Sequence, residues 1–241
     1  MVQLIGTPIG NLGDITYRAV EAIQAAHAVA CEDTRHSQRL LAHHGISGKE
    51  LLALHEHNEQ QRAPALVERA LRGERIVFLS DAGTPTISDP GYRLVNACHD
   101  AGVRVEVIPG PSAVITALAG SGLPTDAFYF GGFLAVKSGR KTREIEEALA
   151  RRETSIFFES PHRLTKTIAA IAALDPEREI CVARELTKKF ESYHRGTAAS
   201  LLEYFTAHPG KGEITLLIRG TGKRREPKVR RDRDRTPGTD E

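Results

Sequence analysis

The chain has no tryptophan and a single methionine, and aromatic residues make up only 5% of it. Stacking platforms for a long run of unpaired nucleotides are therefore scarce. Its three cysteines, Cys31, Cys98 and Cys181, are far apart, odd in number and form no Cys-x-x-Cys pair. That pattern gives neither a disulfide framework nor a thiolate zinc site, and it suits a reducing, cytoplasmic compartment. No apolar run reaches the ~18 residues that a membrane helix needs, so no membrane partner is expected. The opening MVQLIGTPIG has no basic stretch ahead of an apolar one and does not read as a signal peptide.

Hydrophobic residues make up 40% of the 241, enough for a real core in one large domain or two small ones. The net charge of +2 hides an asymmetry. Residues 223–235 (KRREPKVRRDRDR) hold eight Lys/Arg against three Asp/Glu, so the remainder, with 25 against 28, is slightly acidic. This tail has Val229 as its one sizeable apolar residue, and disorder is expected there. It reads either as an arm that seeks RNA phosphates or as a solubilising end.

Short β-branched runs alternate with helical stretches, the mark of βα units and a parallel sheet. The pattern predicts strands at 2–5, 28–31, 51–54, 76–79 and 103–108. Helices are predicted from a Thr16 cap through Ile23, at 37–43, at 63–71, from an Asp89 cap with Pro90 at its first position, and from a Ser112 cap to Gly120. SGLPT (121–125) reads as a linker. The alternation then restarts with strands 128–130, 155–158, 180–183 and 214–218 and helices 142–151, 161–174 and 198–207. The expected organisation is an N-terminal α/β domain (1–120), a C-terminal α/β domain (126–220) and the tail (221–241), with a ligand cleft between the domains.

Three Gly/Pro-rich loops follow strands in the first half. The first, Gly6 to Asp14, spaces its glycines G-x3-G-x2-G. It therefore fails the dinucleotide fingerprint, and it lacks the Lys-Ser/Thr of a phosphate-binding P-loop. The second, Ser80 to Gly91, is long and carries Asp81 and Asp89 at a strand's carboxyl end, where ligand crevices lie. An Asp there can accept hydrogen bonds from a ribose or an amine, but no third ligand for a metal is evident. The third, Pro109 to Ala113, presents a helix N-terminus suited to a polar group. Any one of these is also an ordinary βα turn; three at successive strand ends are far more specific. His43-His44 and His55-Glu56-His57 lack the spacing of a zinc helix, so no metal is expected, and a hydrogen-bonding role for His57, Asn58 or Glu59 at the cleft fits better.

Together the motifs TPIGNLGDIT (7–16), CEDTR (31–35), HEHNE (55–59), SDAGTPTISDPG (80–91) and IPGPSA (108–113) resemble the tetrapyrrole-methylase superfamily. With SGLPTDAFYFGGFL (121–134), FFESPHRL (157–164), ARELTKKFE (183–191) and KGEITLL (211–217), the resemblance is to its ribosomal RNA small-subunit methyltransferase I branch. It covers about residues 2–218. The resemblance implies two α/β domains of the tetrapyrrole-methylase type with an interdomain cofactor cleft. It implies S-adenosyl-L-methionine as cofactor, 2′-O-methylation of a cytidine ribose in 16S rRNA of the small ribosomal subunit, and a homodimer. By matching positions, Pro8, Ile9, Asp81, Gly83, Thr84, Ser112 and Ala113 would lie against the cofactor. The branch usually continues past Leu217 with a further small segment, where this chain has the basic tail.

A ribose hydroxyl is a poor nucleophile, so a base or a stabiliser of the forming alkoxide is needed. Glu159, Glu185, Lys188 and Glu59 are the residues for that task. Against this, Glu159 precedes a helix start and could serve as its cap, and Arg184 with Glu185 could form an interdomain or dimer ion pair. RNA contact falls to Arg35, Arg39, Lys137, Arg140, Lys141, Arg163 and Lys188, with 137–143 read as a basic loop. No DNA partner is expected. Two other readings remain: a superfamily methyltransferase acting on a tetrapyrrole or a modified protein residue, and a non-catalytic nucleotide- or RNA-binding module. A hydrolase is disfavoured, because neither G-x-S-x-G nor a Cys-His pairing is visible.

Overall fold

The computed structural model describes residues 1–222; the basic stretch 223–235 and the rest of the C-terminus lie outside the described residues. Five strands, β1 (Val2–Ile5), β2 (Ala28–Cys31), β3 (Glu50–Ala53), β4 (Ile76–Leu79) and β5 (Val105–Ile108), form one sheet in the order β3-β2-β4-β1-β5. Every pairing in it is parallel. Such a sheet is covered on both faces, which is why β2 and β4 are apolar and buried along their whole lengths. Val2, Leu4, Ile76 and Phe78 point to one face, against α3 (Glu59–Leu71) and α4 (Tyr92–Asp100). Ile5, Val29, Val77 and Leu79 point to the other, against Ala19 and Ile23 of α1 (Tyr17–Ala25) and Leu41 of α2 (Thr34–His43).

Parallel strands send their carboxyl ends to one edge. Because β4, β1 and β5 are neighbours, the three Gly/Pro loops that follow them emerge side by side. The strand order reverses here, since the chain runs outward from β1 to β3 and returns through β4. This is the switch point at which open α/β sheets form crevices.

The second sheet contains β6 (Phe128–Phe133), β7 (Thr154–Glu159), β8 (Glu179–Arg184), β9 (Ser192–Thr197) and β10 (Ile214–Ile218), in the order β6-β7-β10-β8-β9. It is mixed rather than parallel: β6 runs with β7, while β10 opposes β7 and β8, and β9 opposes β8. One face packs on α6 (Ser138–Ala150), α7 (Pro161–Leu174) and α8 (Ala198–Ala207) through Ile145, Leu164, Ile168 and Phe205. The other face is covered by α5 (Ala113–Ser121). Its Val114, Ala117 and Leu118 meet Ile156, Cys181 and Leu217. The last helix of the first half thus closes the core of the second sheet and fixes the two sheets to each other.

Several expectations are corrected. β9 (SYHRGT) was absent from the sequence reading because its side chains do not alternate apolar and polar. α4 is not capped by Asp89; it starts at Tyr92 behind Gly91, whose φ is 120°. Residues 137–143 are not a loop but the cap and first turns of α6. All three cysteines are buried and unpaired, and no helix among the described residues is long and apolar enough to cross a membrane.

Candidate functional site at the carboxyl edge of the parallel sheet

The first and third loops meet backbone to backbone. A Cβ built on Gly6 would lie 2.7 Å from the Gly110 nitrogen, and one on Gly110 would lie 2.6 Å from the Gly6 carbonyl oxygen. The Gly6 N–H donates to Ile108 O at 3.1 Å, while Thr7 and Gly83 exchange backbone hydrogen bonds of 2.8 and 3.1 Å. The Thr7 hydroxyl donates to Ser80 O at 3.2 Å. The three loops are therefore stitched into one rim. The second loop is then bent by Thr86 (φ 75°) and Ser88 (φ 64°), left-handed conformations that non-glycine residues hold only under constraint.

Under this rim lies a cavity of about 400 Å³, in the range of small-molecule sites. The first half contributes Ile9, Ala82 to Thr84, Ile87 to Asp89 and Ser112 to Val114. The opposite wall is Phe133, Phe158 to Pro161, Leu186 and Gly212 to Thr215. Of the residues expected to touch a cofactor, Ile9, Gly83, Thr84, Ser112 and Ala113 line this space, and Pro8 and Asp81 do not. Asp81 instead accepts from the Asp33 N–H at 3.1 Å, tying the ends of β2 and β4 together.

The expected acid–base residues fare differently. Glu59 is buried away from the cavity, and its Oε1 accepts from the Gly91 and Leu94 N–H groups at 3.0 Å each. It is the cap that α4 lacks in its own sequence. Glu59→Ala should leave these donors unpaired and cost about 1–3 kcal/mol, read as a lower denaturant midpoint, with Glu59→Gln losing less. Glu159 lines the cavity but is fully engaged. It accepts from the Ser160 N–H (2.8 Å) and the Thr167 hydroxyl (2.6 Å), and lies 3.3 Å from Arg163 Nε. Glu185 (φ 52°) accepts from Lys188 Nζ at 3.0 Å and the Glu213 N–H at 2.9 Å. The Glu213 bond holds its carboxyl below the usual range. Burial tends to lower the Lys188 ammonium, but its bonds to Glu185 and Glu213 outweigh this and raise it. A depressed carboxyl and a raised ammonium are both poor proton acceptors, so Glu185 and Lys188 are set up as an ion-pair latch. That latch sits over the first loop, because a Cβ on Gly10 would lie 2.9 Å from Lys188 Cε.

His57, Asn58 and Glu59 do not line the cavity. Asn58 caps its own turn, accepting from the His55 N–H at 2.9 Å, and His57 pairs with Glu56. Among the described residues no group of three His, Cys, Asp or Glu could hold a metal.

Of the basic residues, Arg163 is engaged internally: Nη2 donates to Leu134 O (2.7 Å) and Ala135 O (2.8 Å). It leaves the set expected to face RNA. Lys141 is half-buried, with Nζ 3.4 Å from the Thr167 hydroxyl. Arg35, Arg39, Lys137 and Arg140 are exposed; Arg35 pairs with Asp33 and Arg140 with Glu144.

The remaining carboxylate of the second loop is Asp89. It lines the cavity, and burial pushes its carboxyl up to about 6. The nearby Glu32 and Asp81 charges add to this, and a Ser80 hydrogen bond opposes it. A carboxyl shifted toward neutrality in a ligand cavity is a candidate for proton transfer.

A family profile described as tetrapyrrole (corrin/porphyrin) methylases matches residues 1–202. The ribosomal RNA small subunit methyltransferase I of Vibrio cholerae is 50% identical over 224 residues, which cover 91% of this chain and 77% of that protein. The enzyme of the same name from Escherichia coli O157:H7 is 46% identical over 222 residues, 91% of this chain and 77% of the relative. Among solved structures, uroporphyrin-III-C-methyltransferase from Thermus thermophilus superposes with a TM-score of 0.63 at 19% identity, covering 90% of this chain and 93% of that one. Diphthine synthase superposes with a TM-score of 0.65 at 15% identity, covering 90% and 89%. At such identities the two structures establish the fold alone.

Proposed function

The chain belongs to the tetrapyrrole (corrin/porphyrin) methylases, among the ribosomal RNA small subunit methyltransferases I, and from that premise we propose that it 2′-O-methylates a cytidine ribose of 16S rRNA using S-adenosyl-L-methionine. The observation that carries this reading is the cavity walled by all three Gly/Pro loops on one side and by 158–161 and 212–215 on the other. Its chemistry fits the cofactor. Apolar Ile9, Ala113 and Val114 suit a nucleoside, and the Thr84 and Ser112 hydroxyls suit its polar edges. When bound, S-adenosylmethionine supplies an electrophilic methyl group.

The residues of the chain supply the rest. The rim and the wall align the acceptor oxygen with the methyl and exclude water, and such positioning can lower the barrier by ~7–11 kcal/mol. Asp89 would accept the proton of the ribose hydroxyl on a carboxylate oxygen as the ribose oxygen attacks. Arg35, Arg39, Lys137 and Arg140 hold phosphates of the rRNA. A ribosomal substrate places the enzyme in the cytoplasm.

The test is incubation with methyl-labelled S-adenosylmethionine and small subunits that lack the modification, followed by mapping of the label. Label on a cytidine ribose is expected; label on a base, on protein or on a tetrapyrrole overturns the reading. The chain is further proposed to act as a homodimer. Apolar side chains left at the surface, such as Val107 on edge strand β5 and Ile115 on α5, support this. Light scattering should give twice the mass of one chain, and a monomer mass at micromolar concentration would reject it.

A further inference from the structure

In a chain poor in aromatics, Phe133 is 63% exposed at the mouth of the cavity. Leaving so much apolar surface in water is unfavourable, at roughly 25 cal/mol per Å². The local structure nevertheless enforces it. β6 breaks register with β7 between Phe130 and Phe133, at Gly131 and Gly132. Gly132 has a φ of 66°, and a Cβ on Gly131 would collide with the Phe157 ring. The bulge re-aims Phe133 across the Phe158 ring, with centroids 5.4 Å apart, and brings Gly132 against Ser88 of the second loop.

The segment after it is clamped. Arg163 donates to the carbonyls of Leu134 and Ala135, and Glu144 Oε2 accepts from the Ala135 N–H at 2.8 Å. Glu159, buried and engaged by Arg163 and Thr167, anchors the clamp. Glu159 and Arg163, which fit neither catalysis nor phosphate contact, acquire a purpose: they hold Phe133 still. Ile87, 49% exposed, lines the same cavity from the second loop. Immediately beyond come Val136 and the exposed cations Lys137 and Arg140.

We infer that Phe133 is the stacking platform for the nucleobase of the acceptor nucleotide, which is splayed out of the rRNA and held between Phe133 and Ile87. A rigid exposed ring offers a face to a planar base, and unstacked single-stranded bases are what proteins read in RNA. The cations that follow suit its flanking phosphates, the pairing of ring and positive charge that single-strand binders use. The cofactor is the other occupant a ring could face, but Phe133 is largely exposed, whereas Ile9 and Val114 of the lining that suits a cofactor are buried. The inference rests on the rRNA reading above, and the test separates the two.

Because the chain has no tryptophan, Phe133→Trp carries a single indole reporter on the platform. Its emission should be quenched by a single-stranded oligoribonucleotide of the methylated region. Phe133→Ala should lose about tenfold to a hundredfold in kcat/KM for the RNA, with the Kd for S-adenosylhomocysteine unchanged. An active wild-type enzyme with no quenching, or with Phe133→Ala unimpaired, overturns the platform and leaves the function standing. Equal weakening of S-adenosylhomocysteine binding assigns the ring to the cofactor and also overturns it. Quenching by oligoribonucleotide in a chain whose wild type methylates no rRNA overturns the function and leaves the platform. Absence of both overturns both.

Discussion

Asp89→Asn should lower kcat/KM by about a hundredfold or more at pH 8 while making the protein more stable at neutral pH. General-base catalysis by a positioned side chain contributes about 10²–10⁴-fold, which sets the size of the first effect. The second follows from linkage. The Asp89 carboxyl is pushed up to about 6 in the folded protein, above its ordinary value. Between those two values the folded state binds more protons than the unfolded one, so this group makes stability fall as pH rises through that window. Below about pH 4 the carboxyl is protonated in both states and contributes no difference. Above pH 6 the full cost of holding a half-buried carboxylate beside Glu32 and Asp81 is present. Asparagine removes that charge, and a gain of about 1–2 kcal/mol at pH 7–8, vanishing near pH 4, is expected from denaturant titrations. In wild type, kcat/KM should fall as pH drops through about 6, because the base must be ionised to accept a proton. A variant that is both less active and less stable at pH 8 would mean that Asp89 is structural. An unchanged low-pH limb in the variant's residual activity would mean that another group is the base.

Asp89 also marks the limit of what the sequence reveals. The parallel sheet was legible because a strand covered on both faces must be apolar throughout, and β2 and β4 are. Three glycine- and proline-rich loops after strands pointed to the correct edge, since parallel strands put such loops together. What was not legible was set by tertiary contacts. The cap of α4 is Glu59, more than thirty residues upstream, so Asp89 seemed the local answer. Glu159 is held by Arg163 within the same motif and by Thr167 beyond it, and its burial between them cannot be read from FFESPHR. β9 pairs at an edge of its sheet and needs no apolar alternation, so SYHRGT gave no strand signal. The strand expected at 128–130 runs on to Phe133, and only the bulge at Gly131 and Gly132 explains how that ring is left exposed. Wherever a residue's role depends on a neighbour distant in the chain, the sequence named the right segment and the wrong partner.

The same dependence on distant contacts makes Gly110→Ala a damaging substitution for the cavity. A Cβ at position 110 would lie 2.6 Å from the Gly6 carbonyl oxygen and 2.9 Å from its Cα. The obstruction is backbone on both sides, so no side chain can rotate away. Neither loop can retreat cheaply. Gly6 is bonded to Ile108 O, the adjacent Thr7 is bonded twice to Gly83, and α5 begins three residues after Gly110. Separating the loops would break the bond from Gly6 and lift Ser112 and Ala113 away from Ile9 on the cavity wall. Overpacking of this kind costs about 1–3 kcal/mol where a core can adjust, and here it should reach the upper part of that range or exceed it. Binding should suffer more than stability, because a shift of about 1 Å in a positioning loop can cost a hundredfold. Gly110→Ala is therefore expected to lose measurable S-adenosylhomocysteine binding by calorimetry while still unfolding cooperatively. Gly6→Ala, which meets Gly110 from the other side, should behave the same way. Gly139→Ala is the control: it adds an equal methyl group where nothing lies within 4 Å, and it should leave binding at the wild-type level and stability the same or, because it lies in α6, slightly higher. If Gly110→Ala bound the cofactor product normally, the contact between the first and third loops would not be what holds the cavity open.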